Sequence, residues 1–145
     1  MMAPTCGDIV AETESWLRTP YQHQASLKGV GCDCLGLVRG VYRALYGIEP
    51  EPVPAYTPDW AEASGEETMA MAASRHLVPK ELGCLEPGRV LLFRWRPSLP
   101  AKHAAILVSK NRFIHAYDGA AVSNASLSHW WLKRLAFVFA FPPKH

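Results

Sequence analysis

The stretch GVGCDCLGLVRGVY, residues 29–42, decides how this chain is read. From Cys34 onward Leu37, Val38, Val41 and Leu45 recur at the three- and four-residue spacing of one helix face, and Gly47 is placed to stop the run. The spacing predicts an amphipathic helix with a cysteine in its first turn, directly after a loop. At a helix start the free N–H groups and the positive dipole end favour thiolate over thiol, so Cys34 is placed to be a nucleophile with a lowered pKa. The competing reading is a small buried apolar residue, because unpaired cysteine is among the most buried residue types.

Working outward, Ile9, Val10, Thr13, Trp16 and Leu17 fit a short amphipathic helix over about Gly7 to Arg18, ended by Pro20. Residues 22–33 have no clear period and read as a loop that delivers the chain to Cys34. EPEPVPAYTP, residues 49–58, holds four prolines in ten and reads as an extended connection. Thr57 and Pro58 suit the start of another helix running to about His76. After the turn at residues 86–88, strand-like runs cover Val90 to Trp95, Ala104 to Ser109, Arg112 to Tyr117 and Leu135 to Phe141. Helices followed by a meander of strands predict an α+β fold over a single domain, residues 1–145, with the Cys34 helix packed on an antiparallel sheet.

A thiol nucleophile needs a base within hydrogen-bond reach and a group that orients the base. His103 opens one strand and His115 lies on the next, across a turn around Lys110 and Asn111. If the loop is the three residues Ser109 to Asn111, Val108 pairs with Arg112, position 103 falls opposite 117, and the two histidines share a sheet face. A two-residue loop would put them on opposite faces. Asn111 suits the left-handed position of the three-residue loop. A histidine in a strand can equally be a hydrogen-bonded structural residue.

Bulk properties narrow the partners. The 145 residues are 49% hydrophobic with a net charge of +2, and the basic residues are scattered, which argues against nucleic acid. No stretch approaches the roughly 20 apolar residues of a membrane span. The N-terminus lacks the basic and apolar regions of a secretory signal, so a chain made in the cytoplasm without a signal peptide is expected. Cys6, Cys32, Cys34 and Cys84 are too few and too uneven for a disulfide framework, and Cys32 and Cys34 lack a second pair for zinc. No metal or other cofactor is expected.

Taken together, the motifs resemble the NlpC-type family of papain-like cell-wall cysteine peptidases. Asp33-Cys34-Leu35-Gly36-Leu37-Val38 is similar to the family's nucleophile motif, and Trp16, Thr19 and Tyr21 to its upstream element. Leu85 to Gly88 and His103 to Ala116 are similar to its Pro-Gly turn and its His-strand-turn-Phe-x-His-Ala hairpin. The resemblance implies a papain-like fold with the catalytic triad Cys34, His103 and His115. It also implies substrate-binding positions at Tyr21, which would bind the stem peptide or stabilise the oxyanion, and at Asp33, whose other reading is a helix cap. The implied function is peptidoglycan endopeptidase, cutting stem peptides between D-glutamate and diaminopimelate. Two residues depart from the pattern: Leu35 replaces a small polar residue and Arg89 an acidic one, which bears on the preferred substrate length.

The Pro-rich insert and the absence of a signal or wall-binding segment are similar to a phage-tail subgroup that includes gene transfer particles. That resemblance implies a virion component carried on a tail, with tail-tip or baseplate proteins as partners. The alternatives are another thiol amidase, such as an N-acetylmuramoyl-L-alanine amidase, and a non-catalytic structural tail protein. Trp130 and Trp131 read as core or partner surface.

Overall fold

A computed structural model describes residues 4–50 and 66–143. The first helix, α1 (Cys6–Glu14), starts where Thr5 accepts the Asp8 N–H and Asp8 accepts the Thr5 N–H, each at 3.0 Å. This reciprocal cap satisfies two of the N–H groups a helix start leaves open. The helix ends four residues before the expected Arg18. Residues 15–18 form turns that fold Trp16 inward, where it is 2% exposed, and Arg18 adopts φ 74°.

The loop expected over residues 22–33 contains a short antiparallel pair, β1 (Ser26–Leu27) and β2 (Gly31–Cys32). Helix α2 (Cys34–Tyr46) follows as the spacing predicts, with Asp33 as N-cap and Gly47 at φ 77° closing it. Leu37 and Val41 are wholly buried, and each such aliphatic side chain contributes about 2 kcal/mol through lost water contact. Glycine is needed twice on this helix. A Cβ at Gly36 would sit 1.9 Å from the Ala25 carbonyl oxygen, and one at Gly40 would sit 2.1 Å from the Trp16 ring. The first close approach locks the Cys34 turn onto the preceding loop. The second lets α2 lie flat on Trp16.

Most of the Pro-rich connection, and the expected helix start at Thr57 and Pro58, lie outside the described residues. The described helix there is α3 (Thr68–His76). Six strands then form one antiparallel sheet: β3 (Val78–Lys80), β4 (Val90–Phe93), β5 (His103–Ser109), β6 (Arg112–His115), β7 (Ser123–Ser126) and β8 (Leu135–Ala140), in the order β3-β8-β4-β5-β6-β7. A short helix, α4 (His129–Leu132), precedes β8. The sequence reading found the four central strands and missed β3 and β7. Both are edge strands made of exposed or polar residues, Val78-Pro79-Lys80 and Ser123-Asn124-Ala125-Ser126, so neither carries a buried period to detect.

Both faces of the central sheet are covered. Leu37, Val41, Ile106 and Ile114 belong to the core under α2, while Leu91, Phe93, Leu107 and Phe113 pack on the other side with Leu127 and Trp131. The mixed helix-and-sheet expectation therefore holds, with α2 against β5. Among the described residues no helix is long and apolar enough to cross a membrane.

The β5–β6 turn corrects one detail. The loop is two residues, Lys110 and Asn111, because Ser109 pairs with Arg112; Ile106 pairs with Ile114 and Leu107 with Phe113. A register shift between Leu107 and Ser109 leaves Val108 as the extra residue. That bulge restores the parity a three-residue loop would have given. Asn111 is not among the residues with positive φ.

Candidate functional site

The bulge decides the site. Continuing the Ile106–Ile114 register puts His103 opposite residue 117, so His115 is its diagonal neighbour on the same face. The rings meet there: His103 Nε2 lies 2.8 Å from His115 Nδ1, with the two residues 4% and 5% exposed. One N–H lies between the two nitrogens, and Nδ1 of His103 is the nitrogen of that ring outside the pair. Phe93 and Phe113 flank the rings from β4 and β6.

Cys34 arrives from the opposite side of β5. As the first residue of α2 it is half-buried, and its Sγ lies 3.9 Å from the carbonyl oxygen of Lys102, the residue before His103. The structure therefore pairs His103 with His115 and sets Cys34 against the backbone of Lys102, at the start of β5. All four cysteines are free thiols.

The electrostatics correct the expectation of a resting thiolate. Burial pushes the Cys34 thiol up to about 12, and the Asp33 carboxylate adds to the rise; backbone hydrogen bonds at Ala104, Leu35 and Cys34 pull downward without winning. Burial likewise drives His103 down to about 3, helped by its neighbour His115, and His115 down to about 4. At neutral pH Cys34 is a thiol and both imidazoles are uncharged. Dipole stabilisation at a helix start is a modest effect, and removal of the charge from water outweighs it here.

Asp33 is 3% exposed, and both of its oxygens are occupied by the backbone. Oδ1 accepts the Gly36 N–H at 2.7 Å and Oδ2 the Gln24 N–H at 2.8 Å. His23 Nδ1 is 4.0 Å from the same Oδ2. This geometry is that of a cap tying the Cys34 turn to the loop before it. Tyr21 is held by a bridge to Cys32, while the Cys32 N–H donates to Pro20 and the Gln22 N–H to Cys32. Burial raises its hydroxyl to about 12, with Asp33, Cys34 and Asp118 adding to the rise, so Tyr21 is a protonated hydroxyl.

The departures also find places. Leu35 occupies the first turn of α2. Arg89 follows the turn at Gly88 and pairs with Glu86 at 2.6 Å, away from the histidines in sequence and strand position. The residues that sequence reasoning missed are the rings around the pair: Trp95 stacks on His103 with centroids 5.2 Å apart, and Tyr117 stacks on His115 at 5.6 Å. They lie far from Cys34 in the chain and carry no motif. Among the described residues no group of three His, Cys, Asp or Glu side chains is placed to hold a metal ion.

Comparison with known proteins bears on family and fold. The murein DD-endopeptidase MepS/murein LD-carboxypeptidase of Escherichia coli strain K12 is 27% identical over 127 residues, covering 87% of this chain and 57% of that protein. The chain thus spans little more than half the length of the curated relatives it matches. Among solved structures, the NlpC/p60 domain of the peptidoglycan hydrolase SagA superposes with a TM-score of 0.64 at 22% identity, covering 94% of this chain and 99% of that one. An NlpC/P60 family protein from Bacillus cereus ATCC 10987 gives 0.69 at 18% identity, covering 96% and 41%. These two establish the papain-like fold. The model of the NlpC/P60 family matches residues 18–139, from just before Tyr21 to the end of the sheet, so this chain belongs to the NlpC/P60 family.

Proposed function

We propose that this protein is a cysteine peptidase that hydrolyses amide bonds in the stem peptides of peptidoglycan. One observation carries the reading: a buried histidine pair with a 2.8 Å nitrogen–nitrogen contact, adjoining a cysteine at the first turn of a helix. In the proposed mechanism His103 Nδ1 takes the Cys34 proton as Sγ attacks the carbonyl carbon, because the resting thiol is not ionised. His115 fixes the His103 ring through Nε2. The Cys34 backbone N–H and the Tyr21 hydroxyl are donors for the oxyanion. His103 then passes its proton to the leaving amine, and water hydrolyses the thioester. No metal or cofactor enters the scheme.

The finer parts of the proposal are the bond between D-glutamate and diaminopimelate and carriage on a phage-like tail with tail-tip or baseplate partners. Support for both comes from sequence resemblance: the nucleophile and hairpin motifs for the first, the Pro-rich insert for the second. The name of the Escherichia coli relative favours a second bond, the DD cross-link.

The test is mass spectrometry of soluble products from diaminopimelate-type peptidoglycan treated with wild type and with Cys34→Ala. Peptides beginning at diaminopimelate, released by wild type only, support the first bond. Conversion of cross-linked to uncross-linked muropeptides, read after muramidase digestion of the treated wall, supports the second. If wild type is as inert as the variant on sacculi and on isolated stem peptides, the catalytic reading fails.

A further inference from the structure

Two rings touch both imidazoles of the His103–His115 pair: Tyr117, at 5.5 Å from His103 and 5.6 Å from His115, and Trp131. Trp131, on α4, stacks on His103 with centroids 5.8 Å apart at 30° and stands edge-on to His115 at 5.4 Å and 89°. Phe93 and Phe113 hold its edges at 4.9 and 5.1 Å. Trp131 is itself half-buried, so it packs on the pair from one side and meets solvent on the other. Trp95 is also close, but of the two imidazoles its ring contact is with His103.

The element that carries Trp131 is pinned from several directions. The Arg94 N–H donates to the Arg134 carbonyl at 2.9 Å, tying the end of α4 to the strand that carries Phe93. The Arg134 guanidinium lies 3.7 Å over the Trp130 ring and donates to the Trp130 carbonyl at 2.8 Å. A four-residue helix would fray without such ties.

We propose that Trp131 is a positioning residue that acts through the histidine pair, keeping the Nε2–Nδ1 hydrogen bond free of water and the His103 ring in register with Cys34. An N–H between two neutral imidazoles competes poorly with water, and an apolar cover removes the competitor. The low proton affinity of both rings agrees with such a cover. The effect on turnover rests on His103 being the base; the state of the hydrogen bond does not.

The experiment labels the histidine ring nitrogens and follows the imidazole N–H by NMR, with Cys34→Ser to block turnover and His115→Asn to assign the signal. In the protein with native Trp131 the shared N–H is expected as a resonance exchanging with water at least about 100-fold more slowly than in free imidazole. Trp131→Ala, with an unchanged circular dichroism spectrum, should lose that protection, while Trp131→Phe keeps most of it. In the Cys34-containing protein, kcat on stem peptide should fall about 10-fold or more in Trp131→Ala with KM within 2-fold, and recover in Trp131→Phe. A fast-exchanging N–H with Trp131 in place overturns the proposal without any variant. So does protection that survives Trp131→Ala, or a Trp131→Phe protein as poor as the alanine variant. A protein that hydrolyses no wall material but shows the protected N–H loses the function proposed above and keeps this one.

Discussion

His103 and His115 meet nitrogen to nitrogen at 2.8 Å because Val108 bulges out of the strand between them and the turn. Without that extra residue the two-residue loop would set the rings on opposite faces of the sheet. The pair is then enclosed by aromatic side chains, which keeps it uncharged and leaves Nδ1 of His103 outside the hydrogen bond.

The buried pair makes folding sensitive to acid. Both rings have folded pKa values, about 3 and about 4, below the ordinary 6.5. The unfolded chain therefore binds protons between pH 6.5 and 4 that the folded chain refuses. Stability is full above 6.5 and falls as pH drops, by at most about 1.4 kcal/mol per pH unit for each ring. Urea unfolding at pH 7.5, 6.5, 5.5 and 4.5 should show this loss, less steeply in His115→Asn. Equal slopes in the two proteins would contradict it.

A resting thiol predicts slow alkylation. Iodoacetamide, followed by peptide mapping with exposed Cys6 as internal reference, should modify Cys34 more slowly than Cys6 at pH 7. The Cys34 rate should still be rising at pH 9, because its pKa is about 12. A Cys34 rate already at its plateau by pH 6 would mean a thiolate–imidazolium pair instead.

Asp33 accepts two backbone N–H groups, from Gln24 and Gly36. Asp33→Ala should destabilise the protein by about 2 kcal/mol or more, from the lost cap and the unmet buried donors. Asp33→Asn, which keeps an oxygen, should lose about half of that. If Asp33→Ala unfolds at the wild-type urea midpoint and only KM rises, the residue serves substrate rather than the helix.

Gly36→Ala forces a methyl to within 1.9 Å of the Ala25 carbonyl, and backbone atoms cannot swing aside. A loss of about 2–3 kcal/mol is expected from overpacking. Gly47→Ala is the comparison: its Cβ meets open space, so only the φ of 77° resists and about 1 kcal/mol is expected. Denaturation midpoints of the two variants test the ranking.

What the sequence determined by itself was local. The three- and four-residue period from Leu37 to Leu45 and the stop at Gly47 specify α2, and apolar runs specify the central strands, because these signals need only neighbours along the chain. The edges β3 and β7 bury no face and left no pattern. The two histidines could be named from sequence, yet their meeting depended on one bulged residue that no local propensity marks. The protonation of Cys34 and the cover provided by Trp131 belong to the tertiary structure alone. Desolvation and ring packing are set across the fold, Lys102 lying 68 positions from Cys34 and Trp131 28 from His103, brought together only when the sheet closes over α2.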